Sequence, residues 1–485
     1  MNLFLVYIAA LITGVTLVTG SYAPVVQTSS GQVTGLVNGS VNVFLGIPYA
    51  QPPVGELRWR TALPANSSGK AVDATDFGPG CPQLPVPNYG SVFVTSGIET
   101  LPVRQSEDCL SLNVWAAKNA EGLPVIVYVH GGGYESGSSN ETVYHGIHVA
   151  STGRALFVSL NYRLNIFGFP STPSVEGIDQ NVGITDVRLA LEWLRDNIEG
   201  FGGDPKKMVI AGQSAGASLG DTLMYLYKDD PIVVGQIGLS SAVGSLSATP
   251  INGSFWNAVA SSVGCGNTTS KTKQVSCMRN VAFDALLNVS VEMVASFTPE
   301  SDGSVILLDS EYTALGENGS FARVPALFSN VNNEGSLFVE PYSSAYGNET
   351  ADEMAVILVC PVAAAASFRR KAGLPAWRAR YFAVWENLAP FPEDPNVGAY
   401  HGADLPIALG TYKEVEKGPS SESEVALSKK YLDIWLAFAE DPWNGLASKA
   451  GWPLYDPSGK TLIQIGKYNT SQFTVGNATQ YDYGC

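Results

Sequence analysis

The sequence predicts an α/β protein: a large, mostly parallel, twisted central sheet with helices on both faces. Three observations carry this expectation. Short apolar, β-branched runs recur at Val125–Val129, Ala155–Leu160 and Met208–Ala211. Runs apolar on both faces suit parallel strands covered by helices on each side. Between the second and third of them, Ile184, Val187, Leu191, Leu194 and Ile198 fall at helical spacing, with Asp186, Arg188, Glu192 and Arg195 on the rest of the helix. Finally, Val209-Ile-Ala-Gly-Gln-Ser-Ala-Gly-Ala217 reads as a strand turning sharply into a helix, the alternation that builds such sheets.

Taken in order, residues 1–20 carry no charge and are mostly apolar from Leu3 to Val18, with Val18 and Gly20 at −3 and −1 of a cleavage site. They read as a secretory signal peptide, although the usual positive segment is missing; the stretch is too short for a comfortable membrane span. Residues 21–485 are expected to form one catalytic domain, without internal repeats, low-complexity blocks or a later transmembrane anchor. Strands are expected over Gln32–Leu36 and Val41–Gly46, joined by an Asn38-Gly39 turn, and over Leu112–Trp115. Gly200, Gly202 and Gly203 end the first long helix. A second helix is expected from Ser214 or Ala215, a strand over Ala326–Val331, and a further helix over Ser423–Ala439.

Of the 485 residues, 45% are hydrophobic and 15% charged, and the net charge is −16. That composition is globular, and the negative field argues against nucleic acid or an anionic membrane as partner. Ten Asn-x-Ser/Thr sequons, at Asn38, Asn66, Asn140, Asn252, Asn267, Asn288, Asn318, Asn348, Asn469 and Asn477, fit a secreted glycoprotein. The six cysteines form an even set without zinc-site spacing, and spacing alone leaves their pairing open.

The chemistry centres on Gly212-Gln213-Ser214-Ala215-Gly216. A GxSxG motif between a strand and a helix places its serine in a strained turn with helix amides behind it, the nucleophile elbow of α/β-hydrolases. Serine needs a base. In α/β-hydrolases the order is Ser, acid, His, and His401 is the only histidine after Ser214. Several carboxylates qualify by order as the acid that orients the imidazole; the best placed is Glu334, just beyond the Ala326–Val331 strand. His130-Gly131-Gly132-Gly133-Tyr134 follows an apolar strand and reads as an oxyanion loop, with Gly132, Gly133 and Ala215 as amide donors. Tyr134 and Gln213 flank these groups and are expected at the substrate site. His130 reads as a structural hydrogen-bonding residue. His145 and His148 read as solvated, Asp302, Asp309 and Glu311 as surface groups, and neither metal nor cofactor is expected.

These motifs resemble the type-B carboxylesterase/lipase family, which includes cholinesterases and fungal extracellular lipases. The likeness runs from Phe44-Leu-Gly-Ile-Pro-Tyr-Ala50 to the C-terminus, through Ser106-Glu-Asp-Cys-Leu-Ser-Leu-Asn-Val114, Asn161-Tyr-Arg-Leu164, Asn181-Val-Gly183 and Phe201-Gly-Gly-Asp-Pro205. It implies Glu334 as the acid, His401 as the base, and oxyanion amides from Gly132, Gly133 and Ala215. It implies disulfides Cys81–Cys109, Cys265–Cys277 and Cys360–Cys485, and structural ion pairs Arg58–Glu107 and Arg163–Asp186. Two departures stand out. Gln213 replaces the glutamate usual before the nucleophile, and the segment between Cys81 and Cys109 has no tryptophan, so a cation–π platform for a quaternary ammonium is missing.

The expected activity is hydrolysis of neutral aliphatic or aromatic esters through an acyl-enzyme. An alternative is a triacylglycerol lipase with a lid in the Cys81–Cys109 loop. A minor alternative is a secreted, non-catalytic binding protein on the same fold.

Overall fold

The computed structural model describes residues 23–66, 71–83, 104–245, 249–293, 295–338, 348–390, 397–482 and 484–485. The proposed signal peptide and most of the proposed lid fall outside these residues. Among the described residues fourteen strands form: β1 Val25–Thr28, β2 Gly31–Thr34, β3 Leu36–Asn38, β4 Val41–Pro48, β5 Val72–Asp73, β6 Ser111–Ala117, β7 Leu123–Val129, β8 Leu156–Leu160, β9 Gly203–Gln213, β10 Gly235–Leu239, β11 Ala326–Val331, β12 Ala376–Tyr381, β13 Leu462–Ile465 and β14 Phe473–Gly476.

Eleven of them make one sheet in the order β14-β13-β12-β11-β10-β9-β7-β8-β6-β4-β3. The seven strands from β8 to β13 run parallel, and antiparallel strands flank them on both sides. The twofold alternation of a strand explains why the central runs are apolar throughout. Val125, Val127, Val129, Leu156, Val158, Met208 and Ile210 pack into the core on one face, with Ile184, Val187, Leu191 and Leu194 of α1 (Val182–Asn197). Ile126, Tyr128, Phe157, Val209 and Ala211 enter the core on the other face. There they meet buried residues of the amphipathic helix Glu422–Glu440, among them Leu427, Tyr431 and Phe438.

The Asn38-Gly39 turn does join an antiparallel pair, β3 to β4. The strand expected over Gln32–Leu36 divides at Gly35 into β2 and β3. The chain changes sheets there, β2 pairing with β1 and β5 and β3 with β4, and at the crossing a Cβ on Gly35 would meet the Val43 carbonyl oxygen at 2.4 Å. The helix after the serine starts at Ala215 and runs to Leu226 (α2). All three disulfides are present: Cys81–Cys109, Cys265–Cys277 and Cys360–Cys485. Arg58 bonds Glu107 at 2.6 Å and Arg163 bonds Asp186 at 2.6 Å, both as structural pairs. Among the described residues, no helix is long and apolar enough to cross a membrane.

Candidate active site

The parallel strands bring four loops together at their C-terminal ends, where open α/β sheets bind ligands. Ser214 follows β9 directly. Its φ of 54° and ψ of −129° lie in a region that side-chain-bearing residues rarely occupy, a local strain of ~1–3 kcal/mol. The surrounding contacts hold it there. The Ser214 amide donates to the Leu239 carbonyl of β10, and its own carbonyl accepts from Ala217 and Ser218, starting α2. The motif glycines are required by close approach. A Cβ on Gly212 would lie 2.5 Å from Gly216, and one on Gly216 would lie 2.1 Å from the Val129 carbonyl oxygen.

The register Val129↔Gly212 between β7 and β9 sets the glycine loop beside the serine. A Cβ on Gly131 would be 3.0 Å from the Ser214 Cβ. His130 Nδ1 lies 2.9 Å from the Gly131 carbonyl oxygen and donates to it. Burial pushes this imidazole down to about 4, so it stays neutral. The Gly132 carbonyl accepts from the Glu135 and Ser136 amides at 3.0 and 2.9 Å. In a trans peptide, C=O and N–H point in opposite directions. Anchoring those two carbonyls therefore turns the N–H groups of Gly132 and Gly133 the other way. Gly132 has a φ of 100° and Gly133 one of 62°, conformations open to glycine. Ala215 presents the first amide of α2 beside Ser214.

Glu334 lies three residues beyond β11 and is fully buried. Its Oε1 accepts from the Val331 amide at 3.0 Å and from Asn330 Nδ2 at 2.9 Å. Its Oε2 lies 2.7 Å from His401 Nδ1. Burial pushes this carboxyl up. The hydrogen bond and charge of His401, with the donors from Asn330 and Val331, outweigh that and hold it below the usual carboxylate range. An ionised Glu334 only accepts, so Nδ1 is a protonated nitrogen of His401. Gly402, next to His401, lies against Gln213: a Cβ there would be 3.7 Å from Gln213 Nε2. Thus loops bearing Ser214, Glu334 and His401 converge.

Tyr134 is buried and packs edge-on against Phe169, with ring centroids 5.3 Å apart. Gln213 is buried and uncharged beside the serine. His145 and His148 differ from expectation. His145 stacks on Phe77 at 5.0 Å, while His148 pairs with Glu414 at 2.6 Å; neither is simply solvated. Asp302 is also more engaged than a surface group, accepting from the Val305 amide and from Asn181. Among the described residues no three His, Cys, Asp or Glu side chains converge on a metal position. Sequence reasoning missed Asn330; its signal is a polar pair, Ser329-Asn330, inside a buried and mostly apolar strand.

The carboxylesterase family model matches residues 22–358. The chain is 33% identical to a chlorogenic acid esterase of Aspergillus niger, covering 94% of this chain and 93% of that protein. It is 32% identical to Secreted lipase 5 of Gibberella zeae, covering 89% and 87%. A solved structure of PNB esterase superposes with a TM-score of 0.80 at 27% identity, covering 94% of this chain and 97% of that one.

Proposed function

Because the chain belongs to the carboxylesterase family and is a carboxylic ester hydrolase, we propose that it hydrolyses neutral esters through an acyl-enzyme on Ser214. His401 takes the serine proton through Nε2 as Oγ attacks the ester carbonyl. Glu334 holds the imidazole in the Nδ1–H tautomer and stabilises the imidazolium. The amides of Gly132, Gly133 and Ala215 donate to the oxyanion. His401 then protonates the leaving alcohol, and water repeats the sequence to release the acid. The observation that carries this reading is the 2.7 Å contact between His401 Nδ1 and buried Glu334, on loops that meet the elbow.

Gln213 supports the neutral substrate class, because no carboxylate precedes Ser214 to attract a cationic alcohol. The likeness to a chlorogenic acid esterase favours including aromatic acyl groups. The likeness to a secreted lipase keeps long-chain esters as the second reading. An extracellular location is supported by the same relative's name and by three disulfides, which persist in oxidising compartments.

An organophosphonate ester tests the assignment. One adduct per chain on Ser214 is expected, with Ser214→Ala folded and slowed by about 10³-fold or more. Labelling at another residue, or undiminished hydrolysis by Ser214→Ala, would overturn it. A panel of soluble aliphatic, aromatic and emulsified long-chain esters separates the substrate classes; a sharp rise in rate above the solubility limit marks the lipase.

A further inference from the structure

We propose that Arg378 is a positioning residue for the triad acid, acting through Asn330, and that the disulfide-held C-terminal segment fixes its far end. This rests on the reading of Glu334 as that acid.

Asn330 is fully buried near the end of β11. Its amide is used on both sides. Nδ2 donates to Glu334 Oε1 at 2.9 Å and, more weakly, to the Leu358 carbonyl at 3.4 Å. Oδ1 accepts from Arg378 Nη2 at 2.8 Å. A guanidinium only donates, so it demands the oxygen of the amide. With the oxygen held there, the NH2 group must face the carboxylate. A reversed amide would set oxygen against Glu334 Oε1 and N–H against N–H at Arg378. The arginine therefore decides which way Asn330 points, and so whether Oε1 receives its second donor.

The other end of Arg378 is fixed too. Nη1 donates to Asp482 Oδ2 at 2.7 Å. Asp482 lies three residues before Cys485, which is bonded to Cys360. Cys360 sits on α3 (Asn348–Lys371), the helix that also supplies the Leu358 carbonyl. Arg380, two residues along β12 and on the same strand face, donates to the Tyr481 carbonyl at 3.1 Å. Two buried arginines thus clasp the C-terminal segment. Packing alone would be served as well by apolar side chains, because burying a guanidinium is costly unless it is paired. The continuous path Asp482–Arg378–Asn330–Glu334–His401 accounts for a charged group here, because it holds an ionised carboxylate in one orientation in a dry interior.

The test uses the full-length, disulfide-intact enzyme, a soluble ester, and the downfield proton resonance of the His401 Nδ1–H bond. Asn330→Ser is too short to bridge, and Arg378→Met cannot donate. Both are expected to lower kcat ~10-fold or more with KM unchanged, because a small misplacement of catalytic groups is costly, and both should shift the imidazole resonance. Arg378→Lys should restore part of each. If Arg378→Met does not fold, Asn330→Ser, which removes no charge, decides. A kcat for Asn330→Ser within about twofold of wild type, or an unmoved resonance, overturns the proposal. Glu334→Gln separates the two readings. Full activity there would sink the triad assignment itself, whereas an inactive Glu334→Gln beside a fully active Asn330→Ser would sink only the role of Arg378.

Discussion

His401 Nδ1 stands 2.7 Å from Glu334 Oε2 across 67 residues of chain. The contact is built by the loops and not by the two side chains alone. The Asn333 amide donates to the Ala399 carbonyl at 2.9 Å. Asn333 Nδ2 and Ser336 Oγ both donate to the Val397 carbonyl, at 3.0 and 2.9 Å. The loop bearing Glu334 and the loop bearing His401 are therefore one laced unit. A substitution of either side chain leaves the lacing in place, which makes the pair suitable for kinetic dissection.

Glu334→Gln is expected to keep the fold and to lower kcat by about 10³-fold or more. The amide still fits, but its NH2 cannot accept the Nδ1 proton, so the imidazole is held in the wrong tautomer. The pH behaviour of the wild type follows from the sign of the shift. The Glu334 carboxyl is held below its ordinary value of 4.5. Its contribution is fully present above that value and is lost as pH falls through the depressed one. The stability that ionised Glu334 contributes should therefore persist through the range in which an ordinary glutamate protonates. Steady-state kinetics of both proteins, with thermal unfolding as control, check this; Glu334→Gln with wild-type kcat would remove glutamate from the mechanism.

Gly216 and Gly220, one turn apart on α2, give a matched pair. A Cβ at Gly216 would lie 2.1 Å from the Val129 carbonyl oxygen and 2.6 Å from that of His130, both backbone atoms at the end of β7. Gly216→Ala should cost ~1–3 kcal/mol or more and disturb the loop that starts at His130 as well. At Gly220 a Cβ meets only Ile210 side-chain atoms at 3.4 Å and beyond. Gly220→Ala should be neutral or stabilising by up to ~1 kcal/mol from helix propensity. Melting temperature and kcat of both variants measure the contrast; equal destabilisation would contradict the packing.

How much of each feature is legible in the sequence follows from how local it is. The elbow is legible because Gly212, Ser214 and Gly216 stand at fixed spacing within five residues of chain, although the Val129 carbonyl that confines Gly216 is remote. Strand β9 reads as Met208–Ala211 from its apolar run but begins at Gly203. Asp204, Lys206 and Lys207 hide its first half, because that stretch runs near the surface, where polar residues suit a strand as well. Helix α3 escapes a reading by pattern: Pro361 lies inside it, and proline is an ordinary helix breaker. Asn330 escapes for a different reason. Its partners Glu334 and Arg378 lie four and 48 residues away, and no local pattern announces such a bond. His145 reads as solvated because its cover, Phe77 and Trp115, comes from segments remote in the chain.

Asn469 should remain without a glycan although it lies in a sequon. Its Oδ1 accepts from the Val384 amide at 2.9 Å and its Nδ2 donates to the Val384 carbonyl at 2.8 Å. That closed ring uses the hydrogen on the same side as Oδ1. In the trans amide of a glycosylated asparagine the sugar takes that position. Asn38, Asn267, Asn288 and Asn318 are exposed, as Asn469 is, so the Val384 pairing and not burial sets Asn469 apart. Material from a glycosylating host, treated with an enzyme that converts occupied asparagine to aspartate, should show conversion among these and none at Asn469. Full conversion at Asn469 would mean that the Val384 pairing does not form.

Asp404, three residues after His401, should make the protein less stable as pH rises toward neutrality. Burial, and then the charge of Glu334, push its carboxyl up from 3.8 to about 7. Below the lower value both folded and unfolded chains hold the proton. Between the two values the unfolded chain releases it and the folded chain does not, so stability falls with pH. Above about 7 the folded chain must also carry the charge, and the loss is complete. Asp404→Asn keeps the shape of the side chain and removes the titration, so it is the informative variant. Its melting temperature relative to wild type should rise between about pH 5 and pH 8, a window in which the unfolded-state aspartate is already ionised. Titrating groups common to both proteins largely cancel in the difference. A difference that stays flat across the window would mean that Asp404 is ionised in the folded protein throughout it, and that the pocket behind His401 tolerates two carboxylates.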